Sequence, residues 1–281
     1  MALKTLNPIV SADWLYKHLN DESLIILDAT LPKVTSKNDV KVDEKIRIKN
    51  AVFFDIKNVF SDTNAPFPNT VLSAIEFEKK AQDLGIQTNS CIVVYDDLGI
   101  YSSPRVWWLF QLMGFTNIAV LDGGLPGWKS KGYPIEKPKE IEMIAGNFIA
   151  NYQANKIKYT NDVLSAIDNQ SIIIADARSK GRFNTTVPEP RADVKGGHIP
   201  KSVSLPYSDI VVDGKLKSKQ ELQAVFSKLN PKKKDFIFSC GTGITASVLA
   251  LGAEIAGFKN NAVYDGSWTE WGTTKGLPIE K

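Results

Sequence analysis

One pattern is written twice in this chain of 281 residues, and it limits the fold more than any other feature. The first half holds SLIILDAT, AVFFDI, CIVVYDD, a helical stretch closing on Gly114-Phe115, and AVLDGGLPGW. The second half holds SIIIADAR, KSVSLPY, DFIFSC, a helical stretch closing on Gly257-Phe258, and AVYDGSWTEW. Gly114 recurs at Gly257, Asp122 at Asp265 and Trp128 at Trp271, each 143 positions on. A single offset kept across separate elements marks a duplicated domain.

Each copy alternates short apolar runs with amphipathic stretches. SIIIADA and DFIFSC are nearly continuous apolar runs, the mark of strands buried on both faces. SADWLYKHL, VLSAIEFEKKAQDL and KQELQAVFSKL carry apolar residues at three- and four-residue steps, so they read as helices. Ser11 and the run Thr160-Asn161-Asp162 are candidate N-caps. The expected fold class is α/β, two tandem domains each built on a parallel sheet flanked by helices. The first domain is expected over residues 1–138 and the second over 159–281. Residues 139–158, proline-bearing and without a period, are expected to be the linker.

Composition narrows the function classes. The chain is 43% hydrophobic and 23% charged, with a formal net charge of +3. That balance argues against nucleic acid or an anionic membrane as partner. The basic run Pro231-Lys232-Lys233-Lys234 reads as a solvated loop. No stretch approaches the ~20 apolar residues of a membrane span, and the N-terminus lacks a signal-peptide pattern. Two cysteines and two histidines give no disulfide framework and no metal-ligand spacing. No metal or cofactor is expected, and a reducing cytoplasm fits best.

The thiol that stands out is Cys240, in SCGTGITAS. It ends an apolar strand, and small residues lead from it into a helix. Ligands of open parallel sheets bind beyond the carboxyl ends of the strands. Such a loop can turn several N–H groups inward, and the helix adds its positive end. Both favour a thiolate over a thiol. Gly241, Gly243, Ile244 and Thr245 are candidates for binding substrate around it, and Thr242 adds a hydroxyl. For Thr245 the competing reading is turn or N-cap bonding. The constant offset places Asp97 opposite Cys240, so one copy is expected to be active and the other idle. Cys91, opening the strand CIVVY with no such loop, is expected to be a core residue.

A second cluster follows SIIIA in DARSKGRFNTTVPEPRADVKGGHIP. Arg178 sits beside Asp176 and is expected to be structural. Arg182 and Arg191 read either as surface ion pairs or as a clamp for a small planar carboxylate. His198 is expected to pack its turn.

The motifs DAR, GRF, PEPR and GHIP, the CGTGIT loop and the terminal YDGSWTEWG together resemble the tandem-domain rhodanese superfamily, over nearly the whole chain. Within it they are most similar to the mercaptopyruvate branch, because Gly241, Thr242 and Gly243 are uncharged where thiosulfate-using members carry basic residues. The resemblance implies a sulfurtransferase that releases pyruvate and carries sulfur as a Cys240 persulfide. It implies a small-molecule sulfur donor and a thiol acceptor such as thioredoxin, or cyanide. Cys240 and Thr242 would be catalytic, with Arg182 and Arg191 on the donor. A thiosulfate-using rhodanese and a non-enzymatic sulfur carrier are the alternatives. A cysteine phosphatase is disfavoured, since no arginine closes a Cys-x5-Arg loop after Cys240. Two first-half positions, Lys57 and Asn69, depart from the acid and histidine usual in relatives, so neither receives a role.

Overall fold

The computed structural model describes residues 3–33, 46–139, 143–232 and 234–281. Lys233 of the basic run and residues 140–142 of the expected linker lie outside the described residues. The chain divides into two compact units, each with one five-stranded sheet in which every pairing is parallel.

In the first unit the strands are β1 (Ile9–Val10), β2 (Leu24–Asp28), β3 (Val52–Phe53), β4 (Cys91–Tyr95) and β5 (Ile118–Leu121), in the order β1-β5-β4-β2-β3. In the second they are β6 (Ile157–Lys158), β7 (Ile172–Asp176), β8 (Val203–Ser204), β9 (Asp235–Ser239) and β10 (Asn261–Tyr264), in the matching order β6-β10-β9-β7-β8. The duplication read from sequence is therefore a duplication of topology. The central strands β4 and β9 are buried along almost their whole length, as their unbroken apolar runs require.

The helices are α1 (Ala12–Lys17), α2 (Ala74–Asp83), α3 (Ser103–Leu112) and α4 (Gly124–Ser130), then α5 (Thr160–Ala166), α6 (Lys180–Phe183), α7 (Lys219–Leu229), α8 (Ile244–Ala256) and α9 (Ser267–Thr273). Ser11 caps α1 by accepting the Trp14 N–H at 3.1 Å. Capping boxes open α2 and α7, with Ser73 paired to Glu76 and Ser218 to Glu221. The Thr160–Asp162 run does not cap α5; it forms its first turn. The N-cap is Tyr159, whose N–H donates to the Asp162 carboxylate at 2.9 Å. After α3 and α8 a left-handed glycine is followed by a phenylalanine whose N–H reaches back five residues, Phe115 to Phe110 and Phe258 to Ala253.

Two findings differ from the contiguous halves read from sequence. First, the units are discontinuous: Ser61–Val71 groups with the second unit, and Asp213–Lys215 with the first. Second, residues 143–152 of the stretch expected as linker group with the first unit and are anchored in its core through Phe148. Phe148 is fully buried against Phe77, Phe110 and Phe115, and its N–H donates to Ile86. A Cβ on Gly146 would sit 2.0 Å from the Ile86 carbonyl oxygen, so only glycine fits that approach.

Candidate active site

The second unit brings Cys240 to the carboxyl end of β9, and α8 begins at Ile244. Gly243 makes this turn possible. It is the N-cap of α8 and sits at φ +81°, a left-handed conformation that costs a residue with a Cβ. Thr245 is thus the second residue of the helix and not its cap, and it is half-buried. Ile244 is 4% exposed, with its side chain in the core, so only its main chain is offered to a ligand.

Cys240 is 2% exposed and held from α9. Its N–H donates to Ser267 Oγ at 3.2 Å, and its carbonyl accepts the Trp268 N–H at 2.9 Å. Ser267 adopts φ +49° and donates its hydroxyl to the Tyr264 carbonyl. Thr269 fixes the next peptide, donating both its N–H and its hydroxyl to the Gly241 carbonyl, at 3.0 and 2.7 Å.

Of the two candidate arginines, Arg182 lies against this peptide and Arg191 reaches it through Thr269. Arg191 Nη1 donates to Thr269 Oγ1 at 3.2 Å. Arg182 lies over the loop: a Cβ built on Gly241 would be 3.4 Å from its Nη2. Arg182 also bonds Glu189 through Nε at 3.2 Å and Nη2 at 2.5 Å. Arg178 is structural, as expected. Its side chain is fully buried, bonded to Asp176, Glu189 and the Gly197 carbonyl, and stacked 4.4 Å over the Trp268 ring. His198 stacks on Phe183 at 3.7 Å between centroids.

Sequence reasoning missed Asn69. Within the second unit its Nδ2 donates to Thr242 Oγ1 at 2.9 Å, from a left-handed backbone at φ +63°. Because Thr242 accepts there, its own proton is turned toward another acceptor. The only signal in sequence was the departure from the usual histidine. Lys57, in the first unit, is exposed, and its N–H donates to Asp55.

The first unit corrects the pairing of the two loops. Tyr95 ends β4 opposite Asp28 as Ser239 ends β9 opposite Asp176. The next residue, Asp96, accepts the Leu125 N–H as Cys240 accepts that of Trp268. The counterpart of Cys240 is therefore Asp96, 144 positions back, and not Asp97; the first loop holds one extra residue before its helix closes. The Asp96 carboxylate fills that loop. It accepts N–H bonds from Leu98, Tyr101, Ser102 and Ser103 at 2.9–3.0 Å, and the Ser103 hydroxyl at 2.7 Å. The first copy thus displays the turn as an anion nest, with a carboxylate fixed in it.

A family model for the rhodanese-like domain matches residues 11–131 and 160–274. The chain belongs to the rhodanese family. It is 35% identical over 274 residues to a 3-mercaptopyruvate sulfurtransferase of Escherichia coli K12, covering 96% of this chain and 97% of that one. It is 34% identical to the mitochondrial thiosulfate/3-mercaptopyruvate sulfurtransferase 1 of Arabidopsis thaliana, covering 99% of this chain and 79% of that one. The solved structure of the E. coli 3-mercaptopyruvate enzyme SseA superposes with a TM-score of 0.82 at 33% identity, over 93% of this chain and 99% of that chain. In this rhodanese, Cys240, Gly241, Thr242, Arg182 and Arg191 converge on one loop.

Proposed function

We propose that this rhodanese is a sulfurtransferase that takes sulfur from 3-mercaptopyruvate and passes it to a thiol, through a persulfide on Cys240. The observation that carries the donor assignment is an uncharged loop, Gly241-Thr242-Gly243, lying beneath Arg182 and beside Arg191. A guanidinium pair suits the planar carboxylate and neighbouring carbonyl of an α-keto acid.

The Cys240 thiolate attacks the donor sulfur, and an S–S bond forms as the C–S bond breaks. The C–S electron pair leaves with the carbon as the enolate of pyruvate, which takes up the proton given by the donor thiol. The outer sulfur rests in the nest as an anion until an acceptor thiol, such as reduced thioredoxin, or cyanide removes it and restores the Cys240 thiolate. The matching turn of the first loop, whose N–H groups hold the Asp96 carboxylate, supports this resting place. Thr242, accepting from Asn69, relays the proton, giving its own to the enolate as it takes the one from the donor thiol. Asn69 is an amide and takes no part in proton transfer. Both cysteines are unpaired, which suits a reducing cytoplasm, and no helix among the described residues is long and apolar enough to cross a membrane.

Two substitutions test the roles. Arg191→Ala removes a charged partner of the donor. We expect kcat/KM for pyruvate release from 3-mercaptopyruvate to fall about 100-fold, mainly through KM. Sulfite release from thiosulfate is measured beside it. Preference of the wild type for thiosulfate would move the donor assignment to the other branch. Thr242→Val keeps the shape but removes the hydroxyl to which Asn69 donates. Its kcat should fall roughly 10- to 100-fold, while Thr242→Ser stays within about threefold. Equal activities for the valine and serine variants would remove Thr242 from the mechanism.

A further inference from the structure

We propose that Glu189 is a positioning residue that matches this site to a donor of single negative charge. The inference rests on the sulfurtransferase reading and goes on to what selects the donor. The Glu189 side chain is 5% exposed and lies between two guanidinium groups, those of Arg178 at 0% and Arg182 at 18%. Its Oε1 accepts from Arg178 Nη1 at 2.8 Å and from Arg182 Nε at 3.2 Å; its Oε2 accepts from Arg182 Nη2. Arg178 is committed further to Asp176 through Nε and Nη2.

Two consequences follow from these bonds. The first is geometric. Arg182 gives its Nε–H and one Nη2–H to Glu189, so the edge it keeps for a ligand is the one between Nη1 and Nη2. Glu189 therefore decides which edge of Arg182 faces a donor carboxylate. The second is electrostatic. Asp176 and Arg178 cancel, and Glu189 and Arg182 cancel. Within this hydrogen-bonded cluster and its neighbour Arg191, one positive charge remains, on Arg191. A monoanionic α-keto acid balances it. A dianion such as thiosulfate brings a second negative charge that nothing in the cluster balances, beside a buried carboxylate.

The test compares the ratio of kcat/KM for thiosulfate to that for 3-mercaptopyruvate in wild type, Glu189→Gln and Glu189→Asp. Glutamine keeps the size and removes the charge. Aspartate keeps the charge and shortens the reach. One charge in a partly screened site changes the discrimination between a dianion and a monoanion on the order of tenfold. Glu189→Gln should therefore raise the ratio about tenfold, chiefly through a lower KM for thiosulfate. Glu189→Asp should slow both donors and leave the ratio within about threefold of wild type. A ratio unmoved in the glutamine variant, or moved equally in both, overturns the proposal while the sulfurtransferase reading stands. A wild type that prefers thiosulfate or uses neither donor overturns both. If only the aspartate variant folds, an unchanged ratio supports the charge argument and a tenfold change overturns it.

Discussion

Cys240→Ser is expected to fold and to transfer no sulfur, from either donor. The residue is nearly inaccessible, and its main chain is pinned by Ser267 and Trp268, so exchanging sulfur for oxygen leaves the loop its shape. A serine hydroxyl is a weak nucleophile toward sulfur and forms no persulfide. The loss should be at least about 1000-fold in kcat/KM. The check is pyruvate release together with intact mass after exposure to donor. Wild type should gain the mass of one sulfur atom, and the variant none. The second cysteine supplies the control. Cys91 is fully buried in β4, where burial, with Asp21 adding to it, pushes its thiol up to about 11. Cys91→Ala should keep turnover and sulfur loading. If Cys240→Ser still loaded sulfur, the carrier would have to be sought elsewhere.

Arg178→Ala should be the most destabilising single change around the site. Burial works against the charge of this guanidinium, yet the carboxylates of Asp176 and Glu189 more than reverse that and hold its pKa above the ordinary value. Deleting it leaves two buried carboxylates facing each other and uncovers the Trp268 ring. Removing one partner of such a buried pair costs about 3–5 kcal/mol. For a unit of this size that lowers the unfolding midpoint by on the order of 10 °C. Lysine should not restore it, because a point charge cannot reach Asp176, Glu189 and the Gly197 carbonyl together. A thermal melt of Arg178→Ala matching wild type would show that the network contributes nothing to stability. The same melt of Arg191→Ala should shift little, since among the described residues the Arg191 side chain bonds only Thr269.

Much of this was legible before any coordinates. Apolar runs such as SIIIADA name the strands, and Ser-x-x-Glu names two helix starts, because those signals are local. The repeat gave the topology of one copy from the other. Where the reading failed, the cause was distance along the chain or a break in register. The offset of 143 is measured on glycines and tryptophans after the loop, and the extra residue within the first loop shifts its strand by one. Counting alone therefore chose Asp97 over Asp96. Phe148 sits in a stretch without a period, MIAGNFIANY, and only the aromatic cluster of the first unit explains its burial. Asn69 and Thr242 are 173 positions apart, and no periodicity links them. Glu189 was visible within PEPR, but its two arginine partners make it meaningful only once folded.

The grouping of Ser61–Val71 with the second unit bears on how the chain is made. This loop leaves the ribosome long before its packing partners exist, among them Thr242, which binds Asn69, and Asp265, which accepts the Val71 N–H at 2.9 Å. The first unit is in turn without Asp213–Lys215 until most of the second has been synthesised. The first unit is not complete when its own half of the message has been read, and no single cut in the gene separates the two.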